Sequence, residues 1–229
     1  MLLSDLKSQI PSHLLDILKR DITNLRPAQS KAVKAGLLNG NNLLICTPTA
    51  SGKTLIAELA IIKNILETGG KAIYIVPLKA LASEKFKDFK NRYAKLIRIA
   101  LSIGNLDSKD PYLDDYDLII CTAEKLDSLI RHHTPWLTDI NTVVIDEIHL
   151  LNDVHRGPTL EILITILRQV LKKIQIIALS ATIGNPQELS GWLSASLVLD
   201  KWRPVQLKQG VYFQGEIEFK KEGIVNLSE

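Results

Sequence analysis

The stretch TPTASGKT, Thr47–Thr54, decides the fold class. It closes in Gly-Lys-Thr as a phosphate-binding loop does, but it opens with Thr where the pattern GxxxxGK[ST] has Gly. The apolar run NLLIC at 42–46 precedes it, and TLIAELAIIKNIL, with helical spacing, follows it. Strand, loop and helix in that order are the context the motif requires. Backbone N–H groups from Ser51 to Thr54 then face a β-phosphate at a helix N-terminus, whose partial positive charge favours an anion. Lys53 is expected to reach the β- and γ-phosphates of a nucleoside triphosphate as a point charge, and the Thr54 hydroxyl to ligate Mg²⁺. Gly52 sits where a side chain would most obstruct the phosphate. Pro48, Thr49 and Ala50 complete the loop, and Thr47 is placed at its outer end, where a Cβ is more easily accommodated.

Working outward, short runs rich in Ile and Val recur with helical patterns between them: AIYIV at 72–76, IRIALS at 97–102, DLIIC at 117–121, TVVID at 142–146 and QIIALS at 175–180. Uninterrupted apolar runs of this kind suit strands covered on both faces, and hence a parallel sheet. Leu160, Leu163, Ile164, Leu167 and Leu171 mark one buried helix face, and Ala82, Phe86, Phe89 and Tyr93 another. The alternation predicts a doubly wound α/β domain. RPAQSKAVKAGLLNG reads as a helix with Pro27 in its first turn and Gly40 just past its end. After residue 203 partial alternation with Gly210 and Gly215 predicts a β-hairpin or an exit linker. The expected organisation is an N-terminal helical segment at 1–24, the main domain at 25–203 and that C-terminal piece at 204–229.

Composition sets the bounds. The 229 residues are 46% hydrophobic and 23% charged, with a net charge of +3, which describes a chain that folds and gives only a weak hint of a polyanionic partner. Cys46 and Cys121 close apolar runs, as buried reduced thiols do. No apolar run is long enough for a membrane span and no leader pattern opens the chain, so a cytoplasmic protein without membrane partners is expected. Lys85, Lys87, Lys90 and Lys95 read as the solvated face of an amphipathic helix, and Lys79 gains from its strand-to-helix junction. His132 and His133 have no metal-ligand partners at suitable spacing, and Trp136, Trp192 and Trp202 read as packing residues.

A second acidic site stands at TVVIDEIHLL, where a strand delivers Asp146 and Glu147 to the edge at which open α/β sheets bind ligands. Phosphoryl transfer to water needs both functions that such a pair can divide: Asp146 toward Mg²⁺ through its water shell, and Glu147 as general base.

Together, TPTASGKT, DEIH at 146–149 and SAT at 180–182 resemble motifs I, II and III of the superfamily 2 DExH helicases. PLKALASEKF at 77–86 is similar to motif Ia and CTAEKLDSLI at 121–130 to motif Ib. RGPTLE at 156–161 and LSATIGNPQELSGWL at 179–193 resemble the Ski-two-like branch, and LRPAQ and WRPVQL extend the likeness to the archaeal Holliday-junction-migration helicases over roughly residues 10–210. The resemblance implies a RecA-like P-loop domain. It also implies that Gln29 reads adenine and that Pro77, Lys79, Ala80, Thr122 and Lys125 lie along a tracking strand. Ser180, Ala181 and Thr182 would couple nucleotide state to that strand, with His149 linking the ATP site to motif III or to a second lobe. The implied function is a monomeric ATP-dependent 3′–5′ helicase on single-stranded, forked or branched DNA in repair and recombination. A replication clamp or a junction nuclease is the kind of partner that work implies. An RNA helicase of the same branch and a non-catalytic binding module are the alternatives. Nothing after Arg203 resembles motifs IV–VI, so the chain reads as a first motor domain, nearly inactive alone because an arginine finger supplies about 10³ to 10⁵ in rate in such enzymes.

Overall fold

The computed structural model describes residues 1–104, 110–132, 134–171, 173–205, 208 and 210–219. His133 and the segment beyond 219, which the sequence reading included, lie outside the described residues. The strands are β1 (Leu43–Cys46), β2 (Lys71–Val76), β3 (Ile99–Ser102), β4 (Leu118–Thr122), β5 (Ile140–Ile145), β6 (Gln175–Ser180) and β7 (Ser196–Leu199). They form one sheet in the order β3-β4-β2-β5-β6-β1-β7, and every pairing is parallel. Among the described residues, seven α-helices surround it: α1 (Ser12–Leu18), α2 (Pro27–Lys34), α3 (Lys53–Thr68), α4 (Lys79–Tyr93), α5 (Ala123–Arg131), α6 (Gly157–Val170) and α7 (Pro186–Leu193). A separate antiparallel hairpin pairs β8 (Gly210–Phe213) with β9 (Glu216–Phe219).

Strand side chains alternate between two cores, which is why their sequences are apolar without interruption. Leu43 and Ile45 of β1, Tyr74 of β2 and Val144 of β5 join the N-terminal helices, α3 and α4 on one face. Leu44, Ile75, Val143 and Ala178 join α5, α6 and α7 on the other. The RecA-like arrangement implied by the sequence, a mostly parallel sheet with helices on both faces, is therefore present. Both cysteines are buried, as their runs suggested, and burial pushes Cys46 up to about 11 and Cys121 up to about 12.

Three local expectations are corrected. The helix begun by Pro27 stops at Lys34, because Gly36 takes the left-handed conformation, and Gly40 closes a further short 3-10 turn at Leu37–Asn39. The edge strand β7, interrupted in pattern by its exposed residues, escaped the sequence reading. Trp202 is not a core residue: it lies on the surface with the Arg26 guanidinium 5.6 Å from its ring centre.

At the start of α6 the chain passes so close to itself that a Cβ on Gly157 would meet the Leu151 carbonyl oxygen at 2.2 Å. Backbone cannot yield as a side-chain tip does. Gly157→Ala should therefore lower the free energy of unfolding by about 1–3 kcal/mol, the usual cost of forced overpacking, read from the midpoint of urea unfolding.

Candidate nucleotide and nucleic-acid site

A parallel sheet delivers the ends of all its strands to one edge, and the residues singled out in the sequence gather there. β1 ends in the phosphate loop, β5 in Asp146 and Glu147, and β6 in Ser180–Thr182. β2 ends at Pro77 and β4 at Thr122. Because β5 and β6 stand between β1 on one side and β2 and β4 on the other, the two groups of residues share a central partition.

In the loop, Gly52 adopts φ 92° and Ala50 φ 62°, the left-handed values that turn the chain into α3. Thr47 has no positive φ, so Gly is not required at the loop's first position. It is fully buried rather than at the outer end, which corrects the sequence reading. Its hydroxyl lies 2.7 Å from Ser51 Oγ and its N–H donates to the Ser180 carbonyl at 3.2 Å, joining the loop to β6. The Thr that looked like a departure from the pattern fastens both ends of the turn. Lys53 Nζ donates to the Thr47 and Pro48 carbonyls at 2.9 and 3.3 Å. Burial lowers its pKa, and the carboxylates of Glu147 and Asp146 oppose that shift. The leading N–H groups of α3 lack intrahelical acceptors and are free to meet an anion.

Gln29 is buried, with Nε2 donating to the Gly52 carbonyl at 2.9 Å and Oε1 accepting from Arg26 N–H at 2.8 Å. Its amide braces the phosphate loop, and a Cβ on Gly52 would strike it at 2.4 Å. Arg26 adds a second brace through its guanidinium to the Ala50 carbonyl at 2.6 Å. A cleft of 330 Å³ opens beside these residues, lined by Asn24, Arg26, Gln29, Gly52 and Thr54 among others.

Asp146 is oriented by two donors, the Tyr74 hydroxyl at 3.0 Å and the Glu147 N–H at 3.1 Å. Burial, followed by the neighbouring Asp146 carboxylate, raises the Tyr74 phenol well above its ordinary value, so Tyr74 stays a donor. Glu147 holds φ 51°, a strained value for a side-chain-bearing residue at the turn that ends β5. His149 Nδ1 lies 3.2 Å from Glu147 Oε2 but off the hydrogen-bond direction, so the contact is one of proximity. Ser180 is buried with its Oγ unpartnered, while Ala181 is half-buried and Thr182 exposed.

The residues fit Mg²⁺ better than a metal held wholly by protein. Thr54 Oγ1 and the Asp146 carboxylate are hard oxygen donors, and no group of three or more His, Cys, Asp or Glu suited to a metal occurs among the described residues. Mg²⁺ is characteristically bound through one or two protein oxygens, with phosphates and water completing the shell.

Across the partition, Pro77, Lys79, Thr122 and Lys125 line a cleft of 280 Å³ together with Glu124 and Arg156. Lys79 and Ala80 are exposed at the start of α4, Pro77 is half-buried, and Arg156 reaches the Pro77 carbonyl at 3.4 Å. Thr122 is buried and caps α5, accepting from the Lys125 N–H at 3.4 Å. Lys125 departs from its expected place as a phosphate contact: it is fully buried, and its ammonium pairs with Asp110 at 2.9 Å. Lys85 departs in the opposite sense. Read as solvated, it is half-buried and donates to Thr54 Oγ1 at 3.2 Å. Tyr74, Arg26 and Arg156 were missed as site residues because each acts through a partner remote in sequence. Pro27 ahead of Gln29 was the nearest signal for Arg26.

The DEAD/DEAH box helicase family model matches residues 26–189. The ATP-dependent DNA helicase Hel308 of Pyrococcus abyssi is 54% identical over 205 residues, covering 90% of this chain and 28% of that protein. The protein of the same name from Methanocaldococcus jannaschii is 56% identical, covering 90% of this chain and 18% of its own length. The chain thus spans less than a third of the relatives it matches. Among solved structures, the DUF1998 helicase MrfA bound to DNA and AMPPNP superposes with a TM-score of 0.73 at 28% identity, covering 84% of this chain and 29% of that one. The Mycobacterium smegmatis helicase Lhr bound to single-stranded DNA and AMP-PNP gives 0.70, also at 28% identity, over 82% and 27%.

Proposed function

This chain belongs to the DEAD/DEAH box helicase family, and from that premise we propose that it is the ATP-binding motor domain of a 3′–5′ DNA helicase working on forked or branched DNA. The observation that carries the proposal is the assembly, along one sheet edge, of a phosphate loop, an oriented acidic pair and a cleft bearing Lys79. The relatives named ATP-dependent DNA helicases, and the neighbours bound to DNA, favour DNA over RNA.

In this reading Lys53 leaves the Thr47 and Pro48 carbonyls to meet the β- and γ-phosphates, and the α3 N–H groups hold the β-phosphate. Gln29 keeps the loop braced and offers the remaining valences of its amide to adenine. Thr54 and Asp146 hold Mg²⁺, which would neutralise charge on the phosphate oxygens. Glu147 accepts a proton from the attacking water, and His149 adjoins it toward the second lobe. Because Thr47 is bonded to the Ser180 carbonyl, a change in the loop is felt at Ser180, Ala181 and Thr182. Pro77, Lys79, Ala80 and Thr122 face the strand, and Lys125 supports that cleft through Asp110 rather than through phosphate. The compartment is that of the chromosome, the cytoplasm of an archaeal cell, and the protein acts as a monomer with a clamp or junction nuclease as partner.

A protein comprising this domain and a second motor lobe should hydrolyse ATP faster with single-stranded DNA than with RNA of the same length. Equal stimulation overturns the DNA assignment. The 229-residue chain alone should bind Mg·ATP weakly and unwind nothing, and stoichiometric unwinding by it overturns the need for a second lobe.

A further inference from the structure

Lys85 and a divalent metal have claims on one atom. The Lys85 ammonium donates to Thr54 Oγ1 at 3.2 Å, and that hydroxyl oxygen is the one a magnesium ion would take. The lysine does not arrive there by chance of a long side chain in solvent. It is half-buried on α4, which is tied to α3 one turn further along by Glu58, whose carboxylate accepts from Arg92 at 2.9 Å and from the Tyr93 hydroxyl at 2.6 Å. Burial raises the Glu58 pKa, and Tyr93, Arg92 and, least of these, Lys85 oppose that shift. One turn beyond Lys85 on α4, Phe89 packs edge-on against Tyr74, with ring centres 5.7 Å apart, and the Tyr74 hydroxyl holds Asp146. The face of α4 that carries Lys85 therefore adjoins both oxygen donors of the metal position, Thr54 directly and Asp146 through Tyr74.

We propose that Lys85 is a positioning residue that competes with the divalent metal for Thr54 and, on being displaced, reports the metal's arrival to α4. A cation within hydrogen-bond distance of Thr54 Oγ1 cannot keep that contact beside a divalent ion bound to the same oxygen, since like charges so close repel strongly at a partly buried site. The ammonium must move when metal-bound nucleotide enters. The helix it belongs to begins at Lys79 and Ala80, the residues at the mouth of the nucleic-acid cleft, so the displaced side chain links the two halves of the sheet edge by a single rigid element. Nucleotide entering without metal would keep Lys85 in place and use its charge instead. The inference rests on the reading of this edge as an Mg·ATP site.

The test compares the 229-residue chain with its Lys85→Met variant by titration calorimetry, using ATP in chelator and ATP with excess Mg²⁺. Methionine keeps the apolar stem and removes the charge. The expected result is that the ratio of the two dissociation constants, metal-free over metal-bound, rises about 10-fold or more in K85M, the size of one charge-assisted hydrogen bond. Lys87→Met, an exposed neighbour, should leave the ratio unchanged. Equal weakening under both conditions would make Lys85 a plain phosphate ligand or a packing residue and would overturn the proposal, as would no change in either. Failure of the unmodified chain to bind Mg·ATP would overturn the nucleotide reading itself, and this inference with it.

Discussion

Glu147→Gln, in a protein that joins this domain to a second motor lobe, is expected to lower ATP turnover by about 10² to 10⁴, the range contributed by a positioned general base. Nucleotide affinity should stay as it was. The geometry explains why the two acids separate in this way. Asp146 has both carboxylate oxygens engaged, one by Tyr74 and one by the Glu147 N–H, which suits the proposed role of a fixed ligand better than that of a mobile base. Glu147 sits at φ 51°, where a side chain disfavours it, and its Oε2 lies 3.2 Å from His149 Nδ1. Glutamine preserves that conformation and the proximity to His149 while removing the basic oxygen. Steady-state phosphate release and calorimetric ATP binding measure the two quantities separately. Retained turnover would move the base elsewhere, and lost binding would show that Glu147 helps hold the nucleotide.

Much of this edge was legible in the chain because its signals are local. A loop of fixed spacing between a strand and a helix specifies where Lys53 and Thr54 lie, and an acidic pair closing an apolar strand must sit at the same edge, since parallel strands end together. What stayed hidden depends on which helices touch. Lys85 and Thr54 are 31 residues apart and meet only because α4 lies beside α3, a pairing that periodicity does not reveal. Lys125 was placed along a tracking strand by resemblance, and only the fold buries it and brings the half-buried Asp110 to its ammonium. Thr47 was placed at the rim for want of any sign that β6 would pass alongside and accept its N–H. Trp202 shows the converse: an aromatic residue was assumed to pack inward, whereas an exposed Arg26 outside the core supplies its partner. Periodicity identifies buried faces, and charges that are buried by a neighbour carry no periodic mark.

Lys53→Ala should weaken Mg·ATP binding to the 229-residue chain by about 10- to 100-fold, from loss of the charged hydrogen bonds that the ammonium would make to phosphate. The structure makes this variant harder to interpret than its motif suggests, because Lys53 already has work to do. Its ammonium joins the Thr47 and Pro48 carbonyls across the mouth of the loop, so alanine removes a brace as well as a phosphate ligand. The remaining braces are independent of it: the Thr47–Ser51 hydroxyl pair, Gln29 to the Gly52 carbonyl, and Arg26 to the Ala50 carbonyl. With three of them intact the loop should hold its shape, and the thermal midpoint of the nucleotide-free variant should match that of the unmodified chain. The same pair of measurements applied to Gln29→Ala should give the opposite pattern, a lowered midpoint from a buried amide removed and two backbone groups left bare, with binding lost in proportion to loop disorder. If Lys53→Ala lowers the midpoint as much as Gln29→Ala does, the ammonium is chiefly a structural strut and the assignment of its charge to phosphate fails. If binding falls while the midpoint holds, the lysine's bonds to its own loop are the ones that nucleotide breaks and replaces.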